Sequence, residues 1–369
     1  MSFQRIKAIV RKESIQIARD PFSLAMGFLM PLMLLFIFGF AISLDVDKLT
    51  TVVNDLDNTS ASRELVRQYT ASGYFKIVKY VDRYQDIDYY LDSGRARVAI
   101  AIPADFLSRA VTRKDAQFQI IVDGSDSNTA TIALGYASGI AEQVIRRFAG
   151  VSVVPIIDSR VRVWYNPELK SKNFIIPGLI AVIMAVVGAL LTSLTIAREW
   201  ERGTMEQLIS SPVKVPELII GKLLPYFVVG LIDVLVSAGL SVFLFEVPLK
   251  GSLIALLAAS SIFLFGVLSL GILVSILAKS QVLACQVAII ASYLPAFLLS
   301  GFMFAIPNMP KALQILSYVV PARYFVGMMK DIFLKGNPIS FFLFDAALLL
   351  GFGTLLFGLA NRKLKKVME

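Results

Sequence analysis

No histidine occurs in the 369 residues, and cysteine occurs once, at position 285. Without histidine there is no imidazole to act as a general base, ligate a metal or complete a Ser-His-Asp triad. A single cysteine makes neither an internal disulfide nor a CxxC motif, which removes thiol redox work and cysteine zinc sites; Cys285 reads as a small buried residue. The GxxxxGK[ST] phosphate loop is missing too, so the chain has no such route to bind ATP. Charge is scarce, at 17% of residues against roughly 25% in soluble domains.

That scarcity is uneven. Six stretches, 21–44, 173–197, 223–245, 251–278, 280–310 and 336–361, carry no charge except Asp233 in the third and Asp345 in the last. A helix crossing the hydrocarbon core needs about 20 predominantly apolar residues, and each stretch is longer than that. The expectation is a polytopic α-helical membrane protein with six transmembrane helices, and a soluble enzyme is excluded.

The net charge of +9 raises the question of nucleic acid, and its distribution answers it. Residues 45–172 hold 17 Lys/Arg and 16 Asp/Glu, whereas the rest holds 19 and 11. The excess flanks the spans, as in Arg5, Lys7, Arg11, Lys12 and Arg19 before the first and Arg362, Lys363, Lys365 and Lys366 after the last. Short segments assigned to the inside carry 14 Lys/Arg against 5 outside, the positive-inside pattern, which predicts cytoplasmic termini. The basic balance reflects topology, with no nucleic-acid partner expected.

The resulting layout begins with a cytoplasmic amphipathic helix over 1–20, lying in the interface with Phe3, Ile6, Val10 and Ile17 on one side. Span one is 21–44, too long for a cleaved signal and read as a retained anchor. An extracytoplasmic α/β domain follows at 45–172. Span two is 173–197, a cytoplasmic loop 198–217, span three 218–245, span four 252–278 and span five 282–304. An outer segment 305–335, span six at 338–361 and a cytoplasmic tail 362–369 complete the chain. Within the domain 33 of 128 residues are charged, a soluble-protein density. Thr50–Val53, Tyr74–Val78, Val98–Ile102 and Phe118–Val122 read as strands, and Ala61–Thr70, Gln85–Asp92, Ala104–Val111 and Thr129–Phe148 as helices. Asp55, Asp57, Asp123 and Asp126 fall in turns, where aspartate serves the backbone.

In the loop REWERGTMEQLISSPVKVPE, Thr204 and Gln207 have capping-box spacing after the helix-breaking Gly203. This predicts a second span running to Arg202, a turn at Gly203 and a short helix from Thr204. Such a helix suits docking to a cytoplasmic partner; a solvated loop capping two spans is the plainer reading. Asp233 lies mid-span, where an acid costs roughly 2.5–3.5 kcal/mol. The 15 Leu, Ile, Val and Phe of 223–245 offset it by roughly 4–9 kcal/mol. The span inserts, and Asp233 faces the bundle interior or a wet cavity, as a cation site or an interhelical hydrogen bond. Asp345 reaches the outer interface. Phe302, Met303, Phe304, Tyr318, Tyr324, Phe325, Met328 and Met329 crowd the outer segment, as a hydrophobic gate or as an aromatic belt.

Three stretches resemble type-2 ABC exporter permeases. Arg198 through Pro212, continuing to Gly221-Lys222-Leu-Leu-Pro225, is similar to their signature loop. Ser300-Gly-Phe-Met-Phe-Ala-Ile-Pro307 through Pro321-Ala-Arg-Tyr-Phe325 to Phe333-Leu-Lys-Gly336 resembles their outer re-entrant segment. Arg11 to Pro21 resembles their interfacial elbow helix. The resemblance spans the chain and is nearest to bacterial drug-efflux permeases. It implies a permease subunit, not itself an enzyme, in the bacterial inner (cytoplasmic) membrane. That subunit pairs with a second copy or a related permease and sits on cytoplasmic P-loop ATPase subunits, which hold the ATP and Mg. This chain itself binds no cofactor. Under this resemblance Glu199, Glu201, Arg202, Gly203, Thr204, Glu206 and Gln207 form the ATPase-coupling segment, and an outer adaptor protein is a further partner. Asp233, Phe302, Phe304, Tyr324 and Phe325 are the transport-path candidates. The alternative is a membrane receptor or assembly scaffold acting through its outer domain without transport.

Overall fold

The structure is a computed structural model describing residues 2–41, 48–111, 117–125, 127–148, 165–166 and 170–368. The expected end of span one at 42–44, Asp126 and the stretch joining the domain to span two lie outside these residues. The chain divides into two compact units, Leu44–Arg162 and the remainder.

Helix α1 covers Phe3–Arg19 and α2 covers Pro21–Phe40. Asp20 starts α2: its carboxylate accepts from the Phe22 N–H at 3.2 Å and the Ser23 hydroxyl at 2.7 Å, satisfying donors that a helix start leaves orphaned. The helix takes a π turn at Ala25–Leu29 just ahead of Pro31, a residue with no N–H to give.

The Leu44–Arg162 unit alternates strand and helix: β1 Leu49–Asp55, α3 Ser60–Ala71, β2 Phe75–Tyr80, α4 Asp86–Asp92, β3 Val98–Ile102, α5 Phe106–Val111, β4 Gln119–Val122 and α6 Ser127–Phe148. The sheet order is β2-β1-β3-β4. β1 runs parallel to both neighbours, and β4 pairs antiparallel with β3. Side chains alternate between faces along a strand. Leu49 and Val53 therefore pack with α3, α5 and α6 in one core, and Val52 packs with α4 in another. Asp55 accepts from the Asp57 and Asn58 amides and the Ser62 hydroxyl, the backbone role expected of turn aspartates.

The remaining helices are α7 Ser171–Glu201, α8 Met205–Ile209, α9 Val215–Phe243, α10 Leu253–Ala278, α11 Gln281–Leu299, α12 Lys311–Ser317, α13 Pro321–Lys330 and α14 Leu343–Met368. Among the described residues six helices are long and apolar enough to cross a membrane: α2, α7, α9, α10, α11 and Ser340–Lys365. The chain is a polytopic helical membrane protein. α7 is its centre, buried almost throughout. Water exclusion does not drive helices together inside lipid, so close contact of small residues does. A Cβ on Gly271 of α10 would lie 2.0 Å from Thr192 Oγ1 of α7 and 2.5 Å from the Ala189 carbonyl. Ser275 on α10 accepts from the Ile196 and Ala197 amides of α7, at 2.9 Å each. By contrast Leu224, Val228, Ile232, Leu235 and Val236 leave an exposed apolar stripe on α9, the surface lipid requires.

Candidate functional site

The densest charge cluster among the described residues lies where α1, the end of α7 and the start of α9 meet. On α1 the buried stripe is Ile9, Glu13 and Ile17, spaced four apart and so on one face. Of the side that hydropathy picks out, Phe3, Ile6, Val10 and Ile17, the last belongs to this stripe, Ile6 and Val10 are half-buried and Phe3 is exposed. The stripe includes an acid, and it faces a cation on α9.

Gly221 sets the approach. A Cβ there would come within 2.7 Å of Ile9 Cγ2, so only glycine lets α1 lie this close to α9. The next residue, Lys222, then reaches Glu13 Oε1 at 2.5 Å and Glu199 Oε1 at 2.9 Å. Glu199 receives a second ammonium from Lys12 at 2.7 Å and the Thr204 hydroxyl. Glu13 and Lys222 are each 1% exposed and Glu199 4%. Buried charges lose hydration, and only close pairing with further hydrogen bonds compensates; two carboxylates and two ammoniums meet that condition.

A second set of contacts brings in α2 and α11. Asp20 Oδ2 pairs with Arg198 at 3.0 Å, and Arg198 Nε donates to Gln281 Oε1 at 3.3 Å. The Gln281 amide N–H donates to Glu201 Oε1 at 2.7 Å, and its side-chain amide donates to the other oxygen. Partial burial raises the Asp20 pKa, but the Ser23 hydroxyl, the Arg198 guanidinium and the Phe22 N–H outweigh it and hold the carboxyl below its ordinary value. Glu217 accepts from the Ser2 N–H at 2.6 Å and the Lys214 N–H at 3.1 Å, closing the start of α1 onto that of α9.

Between these anchors the chain leaves α7, turns at Gly203 with φ +68° and enters α8, whose Met205 is fully buried. Glu201, Arg202, Gly203, Glu206 and Gln207 are exposed. The spacing-based capping box does not form: Thr204 is in the helical conformation with no side-chain cap bond, because its hydroxyl is committed to Glu199. Of the seven coupling residues, Glu199 and Thr204 thus hold the loop from inside, while the other five present an outer surface. Lys12, Glu13, Asp20, Arg198, Lys222 and Gln281 are not among the candidate site residues of the sequence, although Lys12 reads as a span-flanking base and Arg198 and Lys222 fall in the stretch that resembles the signature loop.

The path candidates do not converge. Asp233 is 4% exposed, accepts from the Ser237 hydroxyl at 3.5 Å and lines a cavity of about 10 Å³ with Gly27, Gly188 and Tyr226, room for one water. Phe302 is buried against Gly178 and Phe297. Phe325 is stacked on Phe263 with centroids 4.1 Å apart. Tyr324 is half-buried and donates to the Tyr318 carbonyl at 2.8 Å, whereas Phe304 is exposed. Helix α11 stops at Leu299, so Phe302 and Phe304 follow it rather than ending a longer span. Lys330 secures this turn, donating to the Gly301 carbonyl at 2.8 Å and lying 3.4 Å over the Phe174 ring. Among the described residues no group of three or more acidic, His or Cys side chains is placed to hold a metal.

Residues 21–361 match the family model described as ABC-2 family transporter protein. The chain belongs to the ABC-2 transporter family. This ABC-2 protein is 38% identical over 373 residues to a "Probable multidrug ABC transporter permease YbhS" of Escherichia coli K12, covering 100% of this chain and 99% of that relative. It is 32% identical to the "Probable multidrug ABC transporter permease YbhR" of the same organism, over 90% of each chain. The "Inner membrane transport permease YhhJ" of Escherichia coli K12 is 24% identical over 77% of this chain and 76% of its own length.

Proposed function

We propose that the chain is the permease subunit of an ATP-driven exporter that moves drugs or other amphipathic compounds out of the cytoplasm or inner leaflet. One observation carries the coupling role. The α7–Gly203–α8 segment is fastened by buried ion pairs to α1 and α9 while Glu201, Arg202, Glu206 and Gln207 remain exposed. A force applied to that surface is delivered to several helices at once. The sequence holds no phosphate loop, so ATP and Mg belong to separate cytoplasmic ATPase subunits. A second permease, identical or related, completes the membrane unit in the bacterial inner membrane. Positive-inside charge puts both termini in the cytoplasm, and with them α1 as an interfacial elbow, leaving the Leu44–Arg162 unit extracytoplasmic. There it is available to an outer adaptor. Asp233, Phe302, Phe304, Tyr324 and Phe325 are assigned to the cargo path.

The test is a mild-detergent pull-down of the tagged protein with quantified stoichiometry. A P-loop ATPase at equal stoichiometry, lost in Glu206→Lys combined with Gln207→Ala, is expected, and a co-purifying related permease would establish a heterodimer. A well-folded chain that brings no ATPase overturns the exporter reading in favour of a receptor or scaffold.

A further inference from the structure

One face of the Leu44–Arg162 sheet is thinly covered. β3 reads Val-Ala-Ile-Ala-Ile, so Val98, Ile100 and Ile102 fill the core under α3 and α6 while Ala99 and Ala101 point to the other side. Among the described residues that other side is covered by α4 alone, seven residues long and so about 10 Å. Its Ile87 packs in one cluster with Val52, Ala99 and Ala101, the last of these near the carboxyl end of β3. There the small Ala101 side chain leaves a crevice of about 500 Å³, lined by Asn54, Leu56, Tyr84, Ala101, Pro103 and Gln119 among others. That volume lies within the roughly 300–1,000 Å³ of small-molecule sites.

Its place in the topology is also that of a binding site. β1 and β3 are adjacent and parallel, but the chain leaves β1 toward β2 and leaves β3 toward β4. The crevice lies near the carboxyl ends of these two strands, the end at which open α/β sheets take ligands. Among the described residues the lining is apolar, aromatic and amide, with no charged side chain. The Tyr84 hydroxyl donates to Gln119 Oε1 at 3.0 Å, which fixes the Gln119 amide and aims its NH2 as a donor. The Asn54 NH2 is already committed to the Val81 carbonyl at 2.8 Å. A charged ligand would lose hydration here and meet no counter-charge from the described lining. We propose that this crevice binds a neutral, amphipathic aromatic small molecule, its ring on Leu56, Ala101 and Pro103 and an acceptor oxygen on the Gln119 amide. The site stands independently of the exporter reading.

The test irradiates the full-length protein in phosphatidylcholine nanodiscs with benzophenone, a neutral diaryl ketone that inserts into C–H bonds, and maps the adducts on peptides. Saturable labelling of peptides bearing Leu56, Tyr84 or Pro103 is expected, above the non-saturable labelling of spans by lipid-dissolved probe. Leu56→Trp, which fills the crevice from its exposed rim, should lower that labelling about tenfold, a difference of about 1.4 kcal/mol. Gln119→Leu should lower it about fivefold through the lost hydrogen bond, and the anion 4-benzoylbenzoate should label these peptides about tenfold less than benzophenone. Absence of saturable labelling on these peptides overturns the site, as does labelling unchanged in both variants. Equal labelling by the anion overturns the assigned ligand class.

Discussion

Replacing Lys222 by Met keeps most of the length of the side chain and removes its charge. Among the described residues Glu13 has no other cation within salt-bridge distance, so its carboxylate is left buried without a partner. Glu199 keeps Lys12, whose side chain is 49% exposed. Breaking a buried pair by deleting one partner costs about 3–5 kcal/mol, whereas deleting an exposed partner costs about 1 kcal/mol or less. Lys222→Met should therefore free α1 from the bundle far more than Lys12→Met does. The larger figure corresponds to an opening constant raised by roughly 10²–10⁴. Amide hydrogen exchange over Ile9–Ile17, measured on the full-length protein in nanodiscs, reads this directly. Adding Glu13→Gln to Lys222→Met removes the orphaned charge, and most of the protection should return. Wild-type exchange in Lys222→Met, an equal effect from Lys12→Met, or no recovery in the double variant would each refute the buried hub.

Gly271→Leu places carbon where the Ala189 carbonyl and the Thr192 hydroxyl already lie; the folded fraction in detergent should fall sharply, and wild-type yield and melting would contradict the α7–α10 contact. Gly203→Val forces a β-branched residue to φ +68°, at about 1–2 kcal/mol or more. ATP hydrolysis in the assembled exporter should persist while transport falls, and unaltered coupling would count against the turn. The lowered Asp20 pKa makes its contribution to the start of α2 complete above the ordinary carboxyl value of 3.8; it is lost as pH falls through the lower folded value. Exchange at Phe22–Leu24 should rise at that acid end in the wild type but stay flat in Asp20→Asn, and matching profiles would rule the cap out. Asp233→Asn should lower efflux of cationic compounds and spare neutral ones, whereas equal loss of both would assign Asp233 to packing.

What the sequence made legible depended on how locally each feature is determined. The strands expected at Thr50–Val53 and Val98–Ile102 are present as Leu49–Asp55 and Val98–Ile102, because β-branched alternation between turn residues is a signal carried by neighbours in the chain. The spans were legible for a similar reason, since hydrocarbon demands an uninterrupted apolar run. The junction was not, because its bonds join residues 187 and 209 positions apart, and no local pattern ties Glu13 to Lys222. Read by composition, Lys222 is one more cytoplasmic charge at the foot of a span, which satisfies the positive-inside rule without requiring a partner. Thr204 departs from its pattern for a local reason: its spacing to Gln207 suits a capping box, yet its hydroxyl turns back to Glu199 of the preceding helix.

A clue was nevertheless present in α1. Ile9, Glu13 and Ile17 share one helical stripe, and an acid flanked on its own face by two buried isoleucines is either exposed at their expense or paired. Pairing needs a cation that reaches the helix closely, and a lysine preceded by glycine in a helix start supplies both the charge and the room. Gly221-Lys222 is such a pair, so the close approach at Ile9 and the ion pair at Glu13 are two parts of one packing solution. It follows that enlarging Gly221 should damage the junction through Lys222 as well as through the clash with Ile9. Gly221→Ala should therefore expose Ile9–Ile17 to exchange nearly as much as Lys222→Met does, although it leaves every charge in place.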